Sequence, residues 1–179
     1  MYHGSELLGY FGSVSTPAVI IQAGCSFIYT PLVAPLSSRF ARGDLRDFRR
    51  MLLLALGGVL GFAACMFAGA ALLGRWGLTL LFGQAILPYA FLLLPVLGST
   101  LCISLIYFFE VPLTIGRRLK VMTAIHGGAV AVAAAVSLLA IPAQGLQGVL
   151  LALYASAGCD VLAMAAVTAR MCRRAETPA

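Results

Sequence analysis

The chain has 179 residues, of which 61% are hydrophobic and only 10% charged, with a formal net charge of +6 and a mean hydropathy of +1.00. A water-soluble domain of this size could not keep so much apolar surface from aggregating, so the composition excludes a soluble core and points to an integral membrane protein. The positive charge does not point to nucleic acid, because its residues sit in short segments beside apolar runs with no interleaved aromatic platform; it is assigned to membrane topology and anionic lipid headgroups.

The first segment, 1–16, carries Glu6 and several glycines but no Lys or Arg. It lacks the basic flank and apolar core of a cleavable signal. Five apolar runs follow, at about 17–38, 51–73, 85–109, 121–141 and 146–169, each close to the ~20 residues that cross the hydrocarbon core. Eleven of the twelve Lys and Arg residues form three clusters: Arg39, Arg42, Arg46, Arg49 and Arg50; Arg117, Arg118 and Lys120; Arg170, Arg173 and Arg174. Only Arg75 lies elsewhere. Cationic loops remain cytoplasmic during insertion. The clusters therefore predict an external N-terminal segment, external turns near 74–83 and 142–144, and a cytoplasmic tail over 171–179. The predicted fold class is all-α integral membrane, with about five transmembrane helices over 17–170 in the cell membrane.

In the first span Gln22, Ser26 and Tyr29 recur at i, i+4 and i+7, which places them on one helix face. Such a polar stripe faces either a wet cavity or other helices, since lipid offers no hydrogen-bond partner. Pro17, Pro31 and Pro35 each remove a backbone donor in or beside that span, and Pro88 and Pro95 do so in the third. The second span holds Gly57 and Gly61 in GxxxG spacing, which predicts close approach of a neighbouring backbone, and Ala152, Ser156 and Ala157 repeat the idea in the fifth.

Three ionisable side chains fall within or at the edge of spans, where an unpaired charge costs at least ~2.5 kcal/mol at mid-bilayer. Glu110 is near the inner end of the third span, within reach of interfacial water or Arg117. His126 is about two turns into the fourth, where a backbone carbonyl would satisfy a neutral imidazole. Asp160 is too deep in the fifth for its short side chain to reach the interface, so it is a candidate proton, cation or substrate contact.

No GxxxxGK[ST] or GxGxxG loop is present to cradle a phosphate, and neither HExxH nor GxSxG occurs. The chain is thus read as a non-enzyme without a cofactor or metal. Cys25, Cys65, Cys102, Cys159 and Cys172 are odd in number and never spaced as CxxC, which reads as small apolar residues.

The order of short motifs carries a resemblance. Gly9-Tyr10-Phe11 precedes the Ser-rich stretch 13–16, then come Pro35, Arg42-Gly43-Asp44, and Phe48 with Arg49 opening the next helix. Leu81-Phe82-Gly83, Gly116-Arg117 and Gly145-Leu146-Gln147-Gly148 follow at the remaining turns. This series, over about 9–170, resembles polysaccharide flippases of the multidrug and oligosaccharidyl-lipid exporter superfamily. The resemblance implies two six-helix lobes that open alternately to either side of the membrane, of which this chain looks like most of the C-terminal one. The first helix of that lobe and the whole N-terminal lobe would lie before Met1 or in a partner chain. It further implies a lipid-linked glycan substrate, membrane lipids as partners and no ATPase of its own. No basic cavity residue matches, so no substrate contact is carried over. Within this reading Gln22, Ser26 and Tyr29 would line a hydrated cleft, and Asp160 would couple it to an ion gradient. Two other readings stand beside it: a multidrug or cation antiporter of the same superfamily, and a non-transporting membrane scaffold.

Overall fold

The computed structural model describes residues 18–174. The N-terminal segment, with Pro17 and Gly9-Tyr10-Phe11, and the last five residues of the tail lie outside the described residues. All regular structure among the described residues is helical, and five helical stretches are long and apolar enough to cross a membrane. The chain is a multi-pass, all-α membrane protein.

The first span runs as α1 (Ala18–Tyr29), a 3₁₀ turn (Thr30–Leu32) and α2 (Val33–Ala41). Pro31 explains the change of winding, because it has no N–H to bond the carbonyl four residues back. Pro35 falls in the first turn of α2, where its N–H is not needed. Two features then reverse the chain. Gly43 adopts φ +75°, a left-handed conformation that suits glycine, and the Asp44 carboxylate accepts the Asp47 backbone N–H at 3.4 Å, a long N-cap. Arg39 bridges to Asp47 at 3.2 Å across the turn, and Phe40 packs against the fully buried Phe48 with ring centroids 5.5 Å apart.

Helix α3 (Leu45–Phe82) has 38 residues. At 1.5 Å per residue it is ~57 Å long, nearly twice the ~30 Å hydrocarbon core. It therefore runs straight through 74–82, where a turn was expected. Glycines there lower helix stability but leave every backbone donor in place, so the helix continues to Gly83, whose φ of +80° ends it. Gly74 serves packing instead, since a Cβ there would strike Leu93. A long 3₁₀ segment (Gln84–Leu92) then leads into α4 (Leu93–Ile115). Helix α5 (Leu119–Gln144) carries Pro142 inside its last turn, so the reversal comes at Gly145, φ +54°, rather than at 142–144, and α6 (Leu146–Arg174) completes the bundle.

Helix α4 is the centre of the bundle. It contacts α1, α3 and α6, and the core between them holds Ile21, Cys25, Phe48, Val59, Leu97, Phe108, Leu113 and Met164, each under 2% exposed. The inward face of α3 reads Phe48, Leu52, Ala55, Val59 and Ala63, the 3- and 4-residue spacing of a helix that buries one stripe. The expected GxxxG approach is not made. A Cβ on Gly57 or Gly61 would meet nothing, whereas Gly58 lies over Ile28 and the tight crossing is made by Gly24 of α1 beneath Phe62. Large apolar side chains face outward all round, including Phe27, Leu72, Leu138 and Leu139, each at least 77% exposed. In water this surface would be a severe liability; in lipid it is the solvated face.

The chain reversals gather the three basic clusters at one end. Gly116 abuts Met171, and Arg49 and Arg173 border the same groove.

Candidate functional site

Helices α5 and α6 form an antiparallel pair whose spacing is set near their turn. Gly148 lies so close to the Ala140 carbonyl that a Cβ could not be accommodated. Along this pair, about four turns back on α5 and three to four on along α6, the register brings His126 opposite Asp160. Their side chains meet, His126 Nδ1 to Asp160 Oδ2 at 2.8 Å. Helix α4 contributes the third member, with Glu110 Oε1 3.3 Å from His126 Nε2. Three ionisable groups from three spans thus form one chain, Glu110–His126–Asp160.

The cluster grades from partly exposed to buried. Side-chain exposures are 31% for Glu110 and 34% for His126 but only 6% for Asp160, whose Oδ1 has no hydrogen-bond partner. A buried polar atom without a partner is costly, so this oxygen is the point at which the site is incomplete. The arrangement is unsuited to a metal ion. The two ring nitrogens point away from each other, so the carboxylates sit on opposite sides of the imidazole and do not converge on one point.

A neutral imidazole has one N–H and can donate to one carboxylate at a time. The Asp160 contact, at 2.8 Å, has hydrogen-bond geometry, whereas the Glu110 contact, at 3.3 Å, is the approach of two groups able to carry opposite charge. Helix α5 touches α4 only sparsely while packing on α6 along its length, and the Glu110–His126 approach spans that sparse contact.

A cleft of about 240 Å³ opens between α4, α5 and α6 beside this chain. Each wall repeats one helix face: Ser99, Ile103 and Ile106 on α4, which continues to Glu110; His126, Ala129, Val130 and Ala133 on α5; Leu153, Ser156, Ala157 and Asp160 on α6. Ser99 and Ser156 both bond carbonyls of their own helices, at 2.8 and 3.2 Å. The walls are otherwise apolar. At the far end Tyr154 crosses Gly98 and donates to the Pro95 carbonyl at 2.6 Å.

Among the residues singled out in the sequence, Glu110, His126 and Asp160 come together. Glu110 meets His126 rather than Arg117, and His126 is held by two carboxylates instead of a carbonyl. Gln22, Ser26 and Tyr29 do not line this cleft. Ser26 donates to the Ala23 carbonyl of its own helix at 2.7 Å, Tyr29 packs edge-on against Phe108 at 6.2 Å, and Gln22 is half-buried. Ser99 and Tyr154 went unread in the sequence, and Ser156 was read there only as a small residue for helix packing. The i, i+4, i+7, i+11 series Ser99, Ile103, Ile106, Glu110 was available as a signal, but only once Glu110 was taken with its helix face and not with the interface.

No family model, curated protein or solved structure matches this chain.

Proposed function

We propose that this chain is one lobe of a multi-pass transporter that flips or exports a lipid-linked oligosaccharide or polysaccharide precursor by alternating access without hydrolysing nucleotide, and that Glu110–His126–Asp160 couples that motion to proton movement. The observation that supports the coupling role is the convergence of three ionisable groups from three spans on one intramembrane chain that ends in an unpartnered carboxylate oxygen. Intramembrane charge is expensive and marks ion or proton pathways. The cargo rests on the ordered motifs from Gly9 to Gly148 and on their resemblance to polysaccharide flippases. In this reading the cationic end faces the cytoplasm, the N-terminal segment is external, and a second lobe completes the cavity.

The mechanism uses one proton. With it, α4, α5 and α6 are tied through His126. Its release leaves Asp160 bound and frees α5 from α4, widening the cleft that lies between them. A polar headgroup requires such a hydrated cleft, while its lipid tail remains in the bilayer.

Glu110→Gln, His126→Ala and Asp160→Asn introduced at the native locus test the proposal by export of lipid-linked sugar. Each is expected to lower export by roughly 5- to 150-fold, the span of ordinary coupling energies, at unchanged protein level. Undiminished export by Asp160→Asn would rule out the coupling role. A second reading, a cation antiporter, draws on one observation: the cleft has aliphatic walls and a buried carboxylate, which suits a small lipophilic cation. Resistance to organic cations on expression, lost in Asp160→Asn, would favour it.

A further inference from the structure

Arg75 is the one basic residue outside the three clusters, and it stands on α3 far from them. At 1.5 Å per residue it lies ~37 Å beyond Arg50 along the helix. That distance exceeds the ~30 Å hydrocarbon core, so Arg75 reaches headgroup level at the end away from the clusters. Trp76 beside it is 68% exposed, as suits an amphipathic ring at that level. The Arg75 side chain is itself exposed, and among the described residues no hydrogen bond or ion pair engages its guanidinium.

A groove of about 390 Å³ opens beside Arg75, between α3, the 3₁₀ segment and the start of α4. Ala70 and Ala71 line it about one turn nearer the bilayer centre, on the same helix face as Arg75. Phe91, Leu93 and Leu94 form the facing wall. The small side chains on α3 leave the space open. The groove is thus apolar along its length with a cation at its mouth, which complements an amphiphile with an anionic head. Because the cation lies at headgroup level and the apolar part runs inward from it, a lipid fits both halves, whereas a soluble anion would use only the first. We propose that this groove holds one anionic phospholipid of the leaflet opposite the basic clusters, its phosphate on Arg75 and an acyl chain over Ala70, Ala71, Phe91 and Leu94. The volume falls within the range of ligand pockets, and suits the first part of one chain while the remainder stays in the bilayer. Arginine is suited to the head because its planar fork binds phosphate oxygens in pairs. Phosphatidylcholine carries the same phosphate but would bring a choline cation beside the guanidinium, so net charge separates the two lipids.

Trp76 is the only tryptophan of the chain, so its fluorescence reports on this site alone. The full chain in phosphatidylcholine vesicles, doped with a small fraction of phosphatidylglycerol or phosphatidylcholine brominated on the acyl chains, tests the proposal. Brominated phosphatidylglycerol is expected to quench Trp76 at roughly 5-fold lower fraction than brominated phosphatidylcholine, from the contribution of one basic residue. Arg75→Gln should abolish that preference. Arg46→Gln with Arg50→Gln, exposed on the same helix at the clustered end, should leave it unchanged. Ala71→Leu, which fills the groove without altering charge, should weaken quenching by the anionic lipid. Equal quenching by the two lipids, a preference that survives Arg75→Gln, a preference lost in the Arg46 and Arg50 variant, or quenching untouched by Ala71→Leu would each overturn the proposal. Loss of the preference in millimolar inorganic phosphate would overturn it too, by showing a site for a free anion.

Discussion

The carboxyl group of Asp160 is the most buried charge-bearing group among the described residues, and its one hydrogen bond is with His126. Removing that partner should leave the whole group unsatisfied. His126→Ala is accordingly expected to destabilise the protein by about 1–3 kcal/mol, and Asp160→Leu, which removes the buried polar group altogether, by less; unfolding in detergent distinguishes them. Loss of stability in Asp160→Leu equal to or greater than in His126→Ala would show that the pair contributes attraction beyond satisfying a buried charge. The Arg39–Asp47 bridge is of another kind, because its side chains are 36% and 50% exposed. Solvent screening leaves such pairs ~0–1 kcal/mol, and Asp47→Ala should be nearly silent in the same assay.

At the scale of elements, glycine placement determines which helices approach. Gly148 and Gly98 each sit where a Cβ would collide, with the Ala140 carbonyl and the Tyr154 hydroxyl respectively. Gly148→Val is expected to push α6 from α5 and to separate His126 from Asp160, at a cost of about 1–3 kcal/mol. Gly61→Val, on the open face of α3, should stay within about 0.5 kcal/mol of wild type. Thermal unfolding of the two variants checks the contrast, and equal destabilisation would mean that the open face of α3 is packed against something. The GxxxG spacing was legible in the sequence, but its use was not, because spacing gives the geometry of one helix and says nothing of whether a second lies against it. Turn positions were misjudged for a related reason. Glycines near 74–83 suggested a reversal throughout that stretch, yet the chain leaves the right-handed region only at Gly83 within it, as it does at Gly43, Arg117 and Gly145 at the other turns.

For the molecule as a whole, the deciding feature is asymmetry between its two ends. The three basic clusters meet at one end, and 3₁₀ segment Gln84–Leu92 with Gly83 marks the other. In a cysteine-free background, Arg118→Cys is expected to react with a membrane-impermeant thiol reagent only after the cytoplasmic face is opened, and Gln84→Cys in intact cells. The reverse pattern would invert the proposed topology. The same architecture accounts for the contrasting surfaces of α4: one side carries Glu110 to His126 and Asp160, and another forms the aromatic floor of the groove between α3 and α6.

Sequence by itself determined the membrane class, the number of spans, the grouping of basic residues and which three ionisable side chains fall within or at the edge of spans. These follow from one-dimensional quantities, since run length against bilayer thickness and the cost of charge in hydrocarbon do not depend on which helix neighbours which. Only the tertiary structure decided that Glu110, His126 and Asp160 come together in one cluster and that Gln22 and Ser26 lie apart from it. Their separations along the chain are too large for helix periodicity to relate them. Helix register, fixed where Gly148 meets Ala140, brings His126 to Asp160, and the packing of α4 on α6 adds Glu110.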